Sequence, residues 1–138
     1  VTAFVLDNSV TMRGCFDAGS HAYADGVLRQ LETIDGRAFV PVLWRYEVSA
    51  VLARAQRVGA LSASEAEDFI ANLGEQDIVA DMIGIARVLT EVHRLATAFR
   101  LTSYDAAYLE LALSRNLPLA TLDAELRRAC EAAGGAVL

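Results

Sequence analysis

Four acidic residues stand where apolar runs change direction: Asp7 closes Ala3-Phe4-Val5-Leu6, Glu47 lies inside Leu43–Val58, Asp105 opens Tyr104–Leu113, and Asp123 follows Leu117–Leu122. Carboxylates brought together in this way offer an all-oxygen ligand set, which suits Mg²⁺ or Mn²⁺; zinc would favour His or Cys, and neither occurs at these positions. Without a cation they repel, by about 4 kcal/mol per pair at ~4 Å and an effective dielectric of roughly 20, so the group would take up protons or bind a divalent ion. Singly, each acid has a plainer role. Thr102 and Asp105 form a T-x-x-D capping pattern, Asp123 suits the first turn of a helix, and Asp7 can accept backbone N–H bonds at a strand-to-helix turn. Glu47 is harder to place, because it sits among Leu43, Tyr46, Val48, Ala50 and Val51 and a carboxylate on an apolar helix needs a partner or a solvated face.

Other chemistries find little in the chain. All twelve basic residues are Arg, so mechanisms that need an amine, such as a P-loop lysine or a Schiff base, are excluded. Cys15 and Cys130 stand alone, His21 and His93 form no H-x-x-x-H pair, and there is no G-x-G-x-x-G. Asp7-Asn8-Ser9 is also not the D-x-D of an aspartate-based phosphatase.

The elements that must position the acids alternate. Ala3–Leu6 reads as a strand, and Ser9 can cap the helix after it, which Gly14 and Gly19 interrupt. Helical spacing then runs from Ser20 to Leu31, Asp35-Gly36 turns the chain, and Ala38-Phe39-Val40 is a second strand limited by Pro41. Leu43–Val58 is a long helix ending at Gly59. The overlapping capping boxes Ser62-x-x-Glu65 and Ser64-x-x-Glu67 start a helix near Ala63 that runs to about Leu73. Ile78-Val79-Ala80 is a third strand, and a helix from about Ile83 to Phe99 shows Ile85, Val88, Leu89, Val92 and Leu95 on one apolar face. Tyr104–Leu113 is apolar nearly all round, as for a central helix. Leu117–Leu122, Asp123–Ala133 and Ala136-Val137-Leu138 read as strand, helix and last strand. Such alternation implies a single α/β domain over residues 1–138, with a parallel sheet of about five strands, helices on both faces, and ligands at the carboxyl ends of the strands.

At 138 residues, with 54% hydrophobic and 22% charged residues, one folded core is expected. No run is long enough to span a membrane, and residues 1–6 read as strand rather than as an export signal, so a cytoplasmic location is expected. The apolar surplus suggests surface covered by a second subunit. A net charge of −6 argues against holding nucleic acid by bulk charge, yet a bound divalent ion reverses the local sign that a phosphate meets.

Together FVLDNSV, PVLWRYEVSAVL, LTSYDAAYLELA and LPLATLD, in that order and spacing over essentially the whole chain, resemble the successive motifs of PIN-domain ribonucleases, specifically the VapC toxins of toxin–antitoxin pairs. The resemblance implies a three-layer PIN-like fold and a catalytic, metal-holding quartet of Asp7, Glu47, Asp105 and Asp123. Ser9 and Thr121 take the neighbouring hydroxyl positions, and Asn8 is a further polar residue beside the site. It implies metal-assisted hydrolysis of RNA with one or two Mg²⁺ ions, Mn²⁺ substituting, and leaves open which acid deprotonates the water. Arg13 and Arg45 are candidates to hold RNA phosphates. It also implies a homodimer or larger assembly and neutralisation by a VapB-like antitoxin whose C-terminal segment occupies the groove, with Tyr23, Val27, Leu28 and Leu52 as candidate contacts. The alternatives are a structure-specific DNA nuclease with the same chemistry and a non-catalytic PIN-fold binding module.

Overall fold

A computed structural model describes residues 3–138; Val1 and Thr2, read above with the first strand, lie outside them. Phe4, Val5 and Leu6 of β1 (Ala3–Leu6) are wholly buried, because a parallel strand covered on both faces needs apolar residues at every position rather than at alternate ones. Around it β2 (Arg37–Pro41), β3 (Ile78–Asp81) and β4 (Leu119–Ala120) form one sheet in the order β3-β2-β1-β4, every pair parallel. The crossovers are helical: α1 (Asn8–Phe16) and α2 (Ala22–Gln30) join β1 to β2, while α3 (Leu43–Arg57) and α4 (Ala63–Glu75) join β2 to β3. After β3 come a 3₁₀ turn (Ile83–Arg87), a π turn (Val88–Val92), α5 (His93–Phe99) and α6 (Ser103–Arg115), and α7 (Ala124–Ala132) follows β4. The result is a three-layer α/β fold with helices on both faces of a parallel sheet.

From β1 the chain winds outward through β2 and β3, then returns to the other side of β1 as β4. Between β1 and β4 the direction of winding reverses, and in an open parallel sheet the carboxyl ends of the strands part there into a crevice. Asp7 and Asp123 follow the strands on either side of it. The backbone holds the edge closed below, with Asp7 N–H donating to Ala120 O at 3.0 Å.

Three elements differ from the expectation, each for a local reason. The fifth strand is a single parallel bridge, Leu119 to Val137. β4 is shorter than Leu117–Leu122 because Leu122 and Asp123 turn their amides toward hydroxyl groups instead of a strand. The helix expected over Ile83–Phe99 is α-helical only from His93, and of its expected apolar face Val92 and Leu95 are buried while Ile85, Val88 and Leu89 are exposed. Here Arg87 is drawn inward to the carboxylates of Asp81 and Glu110. Gly84 packs so closely on Asp81 that a Cβ would lie 2.9 Å from Oδ2. Regular α geometry gives way to winding that lets the arginine reach the two acids.

α6 runs through the middle of the molecule, with Ala106 to Ala112 buried without a break. A helix apolar all round needs cover on all sides. The polar exceptions along it, Tyr108 and Glu110, must therefore find partners, and both do.

Candidate metal centre

The strand β1 ends in a carboxylate that does no capping. The sequence pointed to Ser9 as the cap of α1, but the N-cap is Asp7, whose side chain makes no cap bond. Ser9 lies in the first turn and donates from Oγ to Asp7 Oδ2 at 2.7 Å. From the far side Thr121 Oγ1 donates to the same oxygen at 2.6 Å. The direction of both bonds is fixed: Ser9 Oγ accepts the Leu122 amide at 3.0 Å and Thr121 Oγ1 accepts the Asp123 amide at 3.0 Å. Each hydroxyl has one proton, so a hydroxyl that accepts from a backbone N–H directs that proton to the acid.

Glu47 arrives from α3 and is partly buried. Its Oε1 accepts the Tyr108 hydroxyl at 2.6 Å. Tyr108 is fully buried, and burial, reinforced by Glu47, raises its phenol far above the ordinary range, so it stays a donor. Sequence reading missed this residue. The signal was present: Tyr108 lies three residues after Asp105 on the same helical face, and a buried Tyr needs a partner for its O–H.

Asp105 stands in the first turn of α6, which Thr102 caps by accepting the Asp105 amide at 3.1 Å. Asp123 caps α7, its Oδ1 accepting the amides of Glu125 and Leu126 at 2.9 and 3.0 Å. The plain capping role is thus real for Asp123, whose second oxygen has no partner among the described residues, whereas at α6 Asp105 contributes only its backbone amide to the Thr102 cap.

Charge ties the four together. Burial raises the pKa of Asp7, and Asp123 adds to the rise. Glu47 is raised by burial and further by the charges of Asp7 and Asp105. Asp105 is raised by burial and by Asp123 and Asp7. No arginine contributes to any of these shifts. Three buried or half-buried acids therefore push against one another with hydroxyls, and no cation, to hold them.

The other candidates are placed differently. Asn8 Oδ1 is buried beside Asp7 with no hydrogen-bond partner among the described residues, a condition that costs about 1–3 kcal/mol unless water or an ion supplies one. Arg13 is engaged by Asp17 at 2.7 Å, whereas Arg45, two residues before Glu47, is exposed. Of the apolar positions weighed as partner contacts, Val27 and Leu52 belong to the core, each 3% exposed, and Tyr23 and Leu28 pack against it.

The family model of the PIN domain matches residues 4–132, and the chain belongs to that family. The crystal structure of PAE2754 from Pyrobaculum aerophilum is similar, at 26% identity and a TM-score of 0.70, covering 99% of this chain and 83% of that one. No curated protein matches. Membership of the PIN family supports a nuclease-like function, and such nucleases often hold divalent ions.

Among the described residues no three His, Cys, Asp or Glu side chains converge closely enough to make a ready cage. Mg²⁺ keeps several of its waters and is bound through one or two carboxylates, and the buried, unpartnered Asn8 Oδ1 next to Asp7 is an acceptor that a hydrated ion there would meet.

Proposed function

We propose that this chain is a divalent-metal-dependent endoribonuclease acting as the toxin of a VapC-like toxin–antitoxin pair. The reading rests on one observation: Asp7, Glu47 and Asp105 are buried or half-buried at the switch point of the sheet, within reach of one another's charge, and the side-chain hydrogen bonds that Asp7 and Glu47 accept come from hydroxyls rather than from arginine. Asp7, Glu47, Asp105 and Asp123 would hold the ion, Mg²⁺ or Mn²⁺. When bound there, such an ion supplies activation of water and neutralisation of charge on the phosphoryl group. Ser9 and Thr121 fix the Asp7 carboxylate through the amides behind them. Arg45, exposed on α3 two residues before Glu47, would be a candidate to meet an RNA phosphate; Arg13 would first have to leave Asp17.

An exposed apolar surface supports a homodimer. Met82, Ile83, Ile85 and Leu89 are each more than half exposed, and Tyr46 and Tyr104 border the same hollow with Ile85 and Val88. Patches of this kind are uncommon on a monomer. A VapB-like antitoxin is the further partner, and the cytoplasm the expected location; no helix among the described residues is long and apolar enough to cross a membrane.

The test is cleavage of labelled tRNA, rRNA fragments and single-stranded DNA, with Mg²⁺, Mn²⁺ or chelator, by the protein and by Asp7→Asn. Metal-dependent RNA cleavage lost in the variant is the expected result. Cleavage of DNA alone would move the assignment to a DNA nuclease, and no Asp7-sensitive cleavage would leave a binding module.

A further inference from the structure

Arg127 on α7 stands apart from the other arginines. Three arginines are partly buried, and two of them meet carboxylates: Arg13 meets Asp17, and Arg87 meets Asp81 and Glu110. Arg127 meets none among the described residues. Its guanidinium lies 5.3 Å from the centre of the Tyr23 ring, and that ring is fixed in turn by its hydroxyl, which donates to Leu138 O at 2.9 Å. Arg127 Nη2 donates to Thr121 O at 2.9 Å. A guanidinium carries five N–H donors, and no nitrogen of Arg127 is both buried and unpartnered, so the donors not used on Thr121 reach solvent.

We infer that Arg127 binds a backbone phosphate of the RNA on the Thr121 side of the acids, holding the substrate without taking part in the reaction. The inference rests on the ribonuclease reading above. Thr121 accepts the Arg127 N–H on its carbonyl and gives its own hydroxyl proton to Asp7, so one residue links the guanidinium to the acids. Arg127 is nevertheless not their counter-ion, since it contributes to none of the shifts of Asp7, Glu47 and Asp105. A partly buried charge needs compensation, and a ring face with one carbonyl leaves most of its donors to water. A phosphate can displace that water with two oxygens spaced to fit the guanidinium fork. At a net charge of −6 the chain offers RNA no bulk attraction, so affinity has to come from cations in fixed places. Arg127 is held in place by two contacts before any RNA arrives, whereas Arg45 is exposed.

Arg127→Gln removes the charge and keeps a donor for the Thr121 carbonyl, while Arg127→Lys keeps the charge. Binding of a labelled single-stranded oligouridylate would be measured by fluorescence anisotropy over a range of NaCl, in chelator so that the RNA is not cut. Arg127→Gln should bind roughly tenfold more weakly, the effect of one hydrogen-bonded charge. The slope of log K against log salt should shrink by about 0.7, the share of one phosphate contact on a single strand. Arg127→Lys should recover the slope. A purely structural role leaves the slope unchanged, because no phosphate contact is lost. Arg127→Met, uncharged and unbranched, carries the test should Arg127→Gln fail to fold. A wild-type slope in the folded, uncharged variants overturns the inference, and so does a wild type that binds no RNA in chelator. If that wild type still cuts RNA with Mg²⁺, the inference alone falls; if it neither binds nor cuts, the ribonuclease reading falls with it.

Discussion

Asp7 and Asp81 occupy equivalent places and have opposite surroundings. Each sits at the carboxyl end of a parallel strand, β1 and β3, and each is 5% exposed. Asp81 is met by Arg87 at 3.0 Å and Arg115 at 3.5 Å, and Arg87 also pairs with Glu110, itself buried. Asp7 is met by two hydroxyls and by the repulsion of Asp123. A buried carboxylate must be compensated. Where the chain supplies arginine, the acid is closed to further chemistry and ties the irregular segment after β3 to α6. Where it supplies only hydroxyls, the remaining compensation must come from protons or from an added cation, and that is what marks the site.

The sharpest way to test this contrast is to remove charge at each place. Asp7→Asn should lower RNA cleavage about a thousandfold, near 4 kcal/mol of transition-state stabilisation, while the metal-free protein remains folded. A variant retaining a tenth of wild-type cleavage would remove Asp7 from the centre. Arg87→Ala should cost about 3–5 kcal/mol of stability, because buried Glu110 loses its partner and Asp81 keeps only Arg115 at 3.5 Å; urea unfolding would measure it, and a change below about 1 kcal/mol would mean that the two regions are not different in kind. Adding Asp81→Asn to Arg87→Ala should recover part of the loss.

Next in size is the dependence on pH. Raised pKa values mean that folded Asp7, Glu47 and Asp105 bind protons more readily than the unfolded chain. Their favourable contribution is therefore full below the ordinary values, 3.8 for the two aspartates and 4.5 for Glu47, and is lost as pH rises through the raised ones. Without metal, the Tm of the wild type should fall relative to Asp7→Asn as pH increases over that window. Glu65 and Glu91, whose pKa values are lowered, are common to both proteins and cancel. Saturating Mg²⁺ should shrink the difference; a gap that widens with Mg²⁺ contradicts the contrast. The smallest effect concerns the segment that Arg87 holds in place. Leu89 is 89% exposed, so Leu89→Ser should change unfolding stability by less than about 0.5 kcal/mol, yet shift the sedimentation of a homodimer toward monomer if that face is the interface.

Much of the fold could be read from local pattern. β1 was bounded by its own apolar run, α3 ended before Gly59, and the capping box at Ser62 and Glu65 forms as its spacing requires. The segment 83–92 could not be read, because its apolar spacing matched a helix facing the core while the pull of Arg87 toward Asp81 and Glu110 left that face outside. Ser9 was assigned as a cap, and only the Leu122 amide across the sheet shows why its proton goes to Asp7. Tyr108 was hidden in an apolar helix, since its partner is remote in sequence on α3.

By itself the sequence determined the alternation of strands and helices, the four acids at their junctions, and the absence of lysine or of clustered His and Cys, because these depend on residue type and near neighbours. The tertiary structure alone decided which buried carboxylates receive arginine and which receive hydroxyls. Several of those outcomes join groups far apart along the chain, Thr121 to Asp7, Tyr108 to Glu47 and Arg87 to Glu110, which no local pattern brings together.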